Sequence, residues 1–236
     1  LTPQAAQRAQ DLYAVFCAGD LVLTDARTAE MAKLTENSFR DVNIAFANEL
    51  SVICERMSID VWELIDLANR HPRVNILRPG PGVGGHCIAV DPWFIVSAAP
   101  QEARLIRTAR QVNDAKPGYV IGRVHQALEG RESPTVAALG LTFKADVDDL
   151  RESPALAIVR ELALSTPDAA ILAVEPNISG PPAALRDLDS VQMVGTREAI
   201  ARADVVLLLV DHREFRDLDP GMLTGRTVID TRGAWR

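Results

Sequence analysis

Pro79-Gly80-Pro81-Gly82-Val83-Gly84-Gly85-His86-Cys87-Ile88-Ala89-Val90-Asp91-Pro92 is the stretch on whose reading the fold turns. Gly80, Gly82 and Gly85 spell G-x-G-x-x-G, which marks a dinucleotide-binding turn when a strand precedes it and a helix opens inside it. Pro79 and Pro81 oppose both conditions, because proline removes an amide donor and drives the residue before it out of helical space. The stretch therefore reads as a bare loop. Its glycines let a ligand lie against the main chain, and they deliver one thiol, Cys87, with the Asp91 carboxylate four residues later. That is how a nucleophile is presented.

The chain changes texture near Gly130. Before it, helical periodicity covers Pro3 to Cys17, Asp25 to Met57, Val61 to Asn69 and Pro100 to Leu128. After it, short apolar runs alternate with helical ones. Strands are expected at Thr135 to Gly140, Ala169 to Val174, Asp204 to Val210 and Thr227 to Asp230, with helices at Ser153 to Leu164, capped by Ser153, and Thr196 to Ala203. This pattern predicts two domains, residues 1–130 helical and 131–236 α/β, the second built on a parallel sheet covered on both faces. Ligands of such sheets gather beyond the strands' carboxyl ends. There the sequence places Gly140-Leu141-Thr142-Phe143-Lys144-Ala145-Asp146 and Asp230-Thr231-Arg232-Gly233, so Lys144, Arg151 and Arg232 are expected to converge on one edge as a cation cluster suited to a diphosphate. The alternative is a set of surface charges satisfying Asp146, Asp148 and Asp149.

Composition bounds the class. With 236 residues, 47% of them hydrophobic and 24% charged, the chain reads as a soluble globular protein able to bury one or two cores. Its longest purely apolar run, Val205 to Val210, is too short to span a bilayer, so the reading is cytoplasmic with no membrane partner. Cys17, Cys54 and Cys87 are odd in number and widely spaced, which fits reduced thiols and neither a disulfide framework nor a metal site. A net charge of -7 argues against nucleic acid. The basic residues are mostly arginine, and the only lysines are Lys33, Lys116 and Lys144. A lysine kept in such a chain can be there for its titratable ammonium.

Glu30-Met31-Ala32-Lys33-Leu34-Thr35-Glu36-Asn37, the glycine loop through Cys87 and Asp91, Gly140 to Asp146 with Arg151-Glu152-Ser153-Pro154, and Asp230-Thr231-Arg232 resemble, in order, the motifs of the UDP-glucose/GDP-mannose dehydrogenase family. The resemblance runs over the whole chain. The wording around Cys87 and Lys33 is most similar to the branch acting on UDP-N-acetyl-D-mannosamine. Membership implies an N-terminal Rossmann domain for NAD, a helical middle domain that dimerises, and a Rossmann-like C-terminal domain that binds UDP. On that reading the chain begins after the first of these, is a fragment, and does not oxidise substrate alone.

The resemblance also implies roles. Cys87 is the nucleophile that catches the C6 aldehyde as a thiohemiacetal, then a thioester. Lys33 and Asn37, four apart on one helix face, stabilise the oxyanion and order water, and Asp91 activates that water. By its local sequence Asp91 is equally a helix cap, with Pro92 in the first helical position. Gly84, Phe143, Lys144 and Arg232 fall to the substrate, Arg73 to the neighbouring subunit's sugar site, and Arg151 to the cofactor edge. His86 is left out, because sequence neighbours in a turn often point apart. Val90 and Ala89 depart from the family's usual lysine and proline. Two other classes stay open: a non-catalytic module that binds UDP-sugar and dimerises, and a Cys-His hydrolase, for which His71, His86, His125 and His212 offer no recognisable pattern. The sugar epimer is not fixed, with UDP-N-acetylglucosamine and UDP-glucose as alternatives, and the pathway implied is surface polysaccharide synthesis.

Overall fold

The computed structural model describes residues 2–236. Its first half is helical: α1 (Pro3–Tyr13), α2 (Ala26–Arg56), α3 (Val61–Ala68), α4 (Asp91–Ala98) and α5 (Arg104–Leu128). Side-chain oxygens of Thr2, Asp25 and Asp60 take amides of the first turns of α1, α2 and α3, groups that have no partner inside a helix. Two expected boundaries move. α1 stops at Tyr13, after which the chain tightens into turns through Cys17. α5 begins at Arg104, after Ala103 at φ -77° and ψ 45°, while Pro100 holds Ala99 out of helical space, at φ -138° and ψ 67°, and so ends α4.

α2 and α5 run in the same direction, since their contacts advance together from Asp41–Arg110 through Asn48–Asn113 to Ser51–Lys116. The seam is polar. Asn113 Nδ2 donates to Asp41 Oδ1 at 2.8 Å, so its Oδ1 is left to accept from Asn48 Nδ2 at 2.9 Å, which leaves Asn48 Oδ1 to accept from Gly80 N at 2.9 Å. Each amide's orientation is fixed by the one before it. The relay ends on the glycine loop.

Further along the seam, Lys116 is buried, and its Nζ donates to Ser51 Oγ at 2.6 Å. Burial lowers its pKa from 10.5 to about 8. The native state therefore binds fewer protons than the unfolded chain above pH 8, and this group's contribution to stability grows up to pH 10.5 and is lost as pH falls through 8. At 1.36 kcal/mol per unit the swing is about 3 kcal/mol. Urea unfolding at pH 7 and pH 9.5 should show about 2 kcal/mol of this rise in the native chain and none of it in Lys116→Met. Tyr119 leaves that window largely clear, because burial and its bond to Glu55 push the phenol up to about 12.

The second half contains β1 (Thr135–Leu139), α6 (Pro154–Ser165), β2 (Ala170–Val174), β3 (Val191–Met193), α7 (Thr196–Arg202), β4 (Val205–Leu208), α8 (Arg213–Arg216) and β5 (Thr227–Asp230). All five strands are parallel, in the order β3-β2-β1-β4-β5. The sequence reading lacked β3, an edge strand of three residues without a fully buried position, which is too short and too polar for periodicity to mark. Ser153 caps α6 through Leu156 N, with Pro154 in its first turn, as expected.

Alternation in β1 divides the core. Val136 and Ala138 face α6 and the second half of α5, where Val120 and Val124 are buried, while Ala137 and Leu139 face α7 and Phe215. With both faces covered, the strand reads as one continuous apolar run. Because α5 belongs to the helical part and also packs on the sheet, the two halves share a core. The strand order reverses between β1 and β4, which puts the switch point at Gly140 and Leu209. Gly140 has φ +92°, and a Cβ there would stand 2.4 Å from Val210 Cβ. Only glycine lets the two strand ends pass.

Candidate active site

The glycine loop is the joint between the halves. Its start is held by Gly80 N on Asn48, and Arg232 Nη1 approaches Pro79 O at 3.5 Å. A Cβ on Gly84 would meet Glu152 O at 2.5 Å and Pro154 Cδ at 2.7 Å. The Gly84 Cα therefore faces the opposite half of the chain, and this close approach gives the residue a packing role in addition to the substrate role expected of it.

Beyond the joint the loop turns. Asp91 N donates to Cys87 O at 2.8 Å, so thiol and carboxylate stand one helical turn apart. Cys87 is exposed, which removes the reading of a small core residue. Asp91 does not cap a helix. α4 starts at Asp91 itself, Val90 precedes it with no side-chain cap bond, and the Asp91 Oδ2 instead accepts from Asn37 Nδ2 at 2.5 Å. That bond joins α2 to the Cys87 turn across 54 positions of sequence. Asn37 is buried, whereas Lys33, one turn earlier, is 60% exposed and bonds Glu36 at 3.0 Å. Of the expected meeting of ammonium, amide and thiol, the structure brings the amide to the Asp91 carboxylate, one turn beyond the thiol; the ammonium lies along the same helix, turned to its own neighbour.

His86 also differs from expectation. Its Nδ1 is 3.9 Å from Cys87 Sγ, so the imidazole points toward the thiol. A cation also lies near the turn. Arg151 forks onto Asp149, with Nε and Nη2 at 3.0 and 2.6 Å from the carboxylate, and its bonds with Asp149 hold that carboxyl down at about 2. Asp149 feels His86, and Arg151 feels Cys87. The His86–Cys87 turn and the Asp149–Arg151 fork are electrostatic neighbours.

Thr142, Phe143, Lys144, Asp211 and Arg232 line a cavity of about 60 Å³ at the switch point, roofed by Pro81 and Gly82. Lys144 is exposed there, and Arg232 Nε donates to Asp211 Oδ1 at 2.8 Å. Arg151 does not join them, so two of the three expected cations converge. The residues do not form a cradle for a dinucleotide: the G-x-G-x-x-G stretch has no strand before it, and the turn after β1 is closed from inside by Glu175, whose Oε2 accepts from Leu141 N at 2.7 Å.

Two family models match this chain, the UDP-glucose/GDP-mannose dehydrogenase central domain over residues 27–115 and the UDP binding domain of the same family over 137–236. The chain belongs to that family. Among its members, an NDP-N-acetyl-D-galactosaminuronic acid dehydrogenase of Ralstonia solanacearum is 61% identical, and a UDP-N-acetyl-D-mannosamine dehydrogenase of Yersinia pestis 54% identical, each over 100% of this chain. The chain spans 55% and 57% of those two relatives, respectively. A UDP-N-acetyl-mannosamine dehydrogenase structure from Staphylococcus aureus superposes with TM-score 0.83 at 43% identity, covering 99% of this chain and 54% of that one. That structure shares the helical and parallel-sheet architecture described above.

Relative to the family reading, Arg73 lies apart from Cys87's neighbours. It lines a groove of about 670 Å³ beside α2 and α5, with Phe39, Phe46, Val74 and Leu105. Phe39 is 69% and Phe46 51% exposed, a large apolar outlay for a free surface. No helix among the described residues is long and apolar enough to cross a membrane. The residue that sequence reasoning set aside, His86, carried one usable signal, its adjacency to the thiol. Its direction depends on the φ/ψ of the Gly84-Gly85 hinge, which sequence leaves free. Exposure predicts an order of labelling: iodoacetamide should modify Cys87 first, partly covered Cys17 next, and buried Cys54 only in urea, as peptide mass mapping would read. Equal rates at Cys54 and Cys87 would contradict the loop's placement.

Proposed function

We propose that this chain is the thiol-bearing and UDP-binding part of a nucleotide-sugar 6-dehydrogenase that converts the C6 alcohol of UDP-N-acetyl-D-mannosamine to the uronic acid, with NAD as the oxidant. The observation that carries it is the bond between Asn37 and Asp91, which ties the long helix to the turn where an exposed thiol sits. In this reading Cys87 Sγ adds to the C6 aldehyde. The S–C bond forms, the carbonyl π bond opens onto oxygen, and the thiol proton passes to that oxygen. After oxidation of this adduct to the thioester, water cleaves the S–C bond, returning the thiol and releasing the carboxylate. Asp91, oriented by Asn37, takes the proton of that water, and Lys33 stabilises the oxyanion once the aldehyde is bound. His86, with Nδ1 3.9 Å from the sulfur, is placed to relay the thiol proton.

Phe143, Lys144, Gly84 and Arg232 serve the UDP end. Lys144 is the free cation there, a compact charge suited to a diphosphate. NAD requires a cradle beyond the described residues, with Arg151 at its edge, so this chain alone is expected to bind UDP-sugar without turnover. A homodimer covers the Phe39–Phe46 groove and carries Arg73 toward the neighbour's sugar site; a monomer in sedimentation at micromolar concentration would count against it.

Titration calorimetry of the chain with UDP tests the binding half, and absence of heat would refute it. Mass spectrometry of the product tests the substrate, in the protein that carries this chain together with an NAD-binding domain. UDP-N-acetylmannosamine is expected to give the uronic acid. A second reading, an N-acetylgalactosamine-type substrate, is supported by the 61% identity to the Ralstonia relative. The two sugars differ in stereochemistry only, so a few pocket contacts decide between them. Preferential oxidation of UDP-N-acetylgalactosamine would select the second reading over the first.

A further inference from the structure

Glu175 follows β2 directly, and its side chain is fully buried, yet it is a carboxylate. Burial pushes its pKa up, but the bond to His212 and the amides of Leu141 and Asn177 more than offset this and hold it below the usual carboxylate value. Its Oε2 accepts from Leu141 N at 2.7 Å, Thr142 N at 3.1 Å and His212 Nε2 at 3.0 Å. Its Oε1 accepts from Asn177 N at 3.0 Å and Asn177 Nδ2 at 3.3 Å. Two consecutive amides and an imidazole N–H thus converge on one oxygen beyond the ends of β1, β2 and β4. This is the position that a phosphate takes in sheets of this type.

His212 extends the hold. Asp146 N can only donate, and it donates to His212 Nδ1 at 2.9 Å, so the ring proton sits on Nε2 and is given to Glu175. The segment from Leu141 to Asp146 is therefore clamped at both ends. Within it, Thr142 Oγ1 donates to Lys144 O at 2.9 Å. Phe143 and Lys144, the residues assigned to the UDP diphosphate, ride on this clamped segment.

We propose that Glu175 is a built-in anion occupying the oxyanion cradle at the end of β1, and that with His212 it positions the Phe143–Lys144 loop for the nucleotide diphosphate while closing the sheet to dinucleotides. This rests on the reading of Phe143 and Lys144 as UDP contacts. Both are positioning residues; neither touches the reacting carbon.

Calorimetry of UDP binding to the chain tests the idea, with Glu175→Ala and Glu175→Gln beside the native sequence. Glu175→Ala vacates the cradle and is expected to weaken UDP binding by about tenfold or more, and added formate should recover most of that loss by filling it. Chloride at equal ionic strength should not, and the native chain should not respond to formate. Glu175→Gln keeps the shape but turns a donor toward the Asn177 amide, so it should also bind UDP more weakly and should show faster amide exchange at Leu141 and Thr142. UDP binding by Glu175→Ala equal to native, or a loss that formate leaves untouched in a folded variant, would overturn the proposal. If Glu175→Ala does not fold, Glu175→Gln matching native in affinity and exchange would overturn it. A native chain that fails to bind UDP would remove the functional reading first, and this one with it.

Discussion

On the proposed function, Cys87→Ala in a protein that joins this chain to an NAD-binding domain is expected to lower uronic acid formation on the order of 10⁴-fold or more, the scale on which loss of a covalent nucleophile acts. The two oxidations divide the effect. Removing hydride from the C6 alcohol needs no thiol, whereas removing it from the aldehyde requires a tetrahedral adduct, and Cys87 Sγ is the exposed nucleophile at that turn. The variant should therefore stop at the aldehyde, trapped as its oxime with hydroxylamine and read by mass spectrometry. UDP affinity should stay within twofold of native, since Phe143, Lys144 and Arg232, the residues proposed for the diphosphate, lie at the switch-point cavity and not on the Cys87 turn. Full uronic acid production by Cys87→Ala would remove the nucleophile's role. Loss of UDP binding with loss of product would point to a collapsed loop.

Much of this fold is legible from local signals. Ser153-Pro154 announces α6 because a hydroxyl cap and a proline in the first turn both answer the unpaired amides of a helix start. The buried strands β1, β2 and β4 announce themselves as apolar runs because both their faces are covered. Asp91-Pro92 carries the same kind of signal and misleads, since the carboxylate has a stronger partner 54 positions away in Asn37, and no local pattern records that competition. The same limit applies to Glu175 and His212, which meet only once β2 and β4 have flanked β1. Charged residues at strand ends suggested three converging cations, but Arg151 is taken by Asp149, two residues before it, a short-range pairing that outcompetes the longer reach. The candidate site is thus legible in its residue types and its chain order, and its pairings come from topology.

Asp41→Ala should destabilise the chain by about 3–5 kcal/mol, the range for stripping one partner from a buried ion pair. Arg110 has 2% of its side chain exposed, with Nη1 on Asp41 Oδ1 at 2.6 Å, and its second carboxylate, Asp114, is half exposed. Removing Asp41 leaves a guanidinium in the interior with one wet partner. Asp41 itself is uncomfortable, for burial raises its pKa against the opposing charge of Arg110 and the bond from Asn113. Its contribution is therefore greatest below the unfolded value of 3.8 and is lost as pH rises through the folded one, so acid does not unfold the protein through this group. Asp41→Asn keeps an acceptor and should cost less than alanine in urea unfolding at pH 7. Replacing both partners, Asp41→Leu with Arg110→Met, should recover most of the stability that Asp41→Ala loses. That double variant separates folding from function. The amide relay through Asn113 and Asn48 to Gly80 N starts at Asp41, where Asn113 Nδ2 donates to Oδ1 at 2.8 Å and to the backbone O at 3.0 Å, so the double variant keeps one of its two anchors and should hold the Cys87 loop more loosely without releasing it. Its expected signature is near-native unfolding with faster exchange at Gly80 N in the chain, and weakened turnover where the chain is joined to an NAD-binding domain. Native exchange at Gly80 N in the recovered double variant, with native turnover once joined to an NAD-binding domain, would show that the relay holds the helices together without setting the loop.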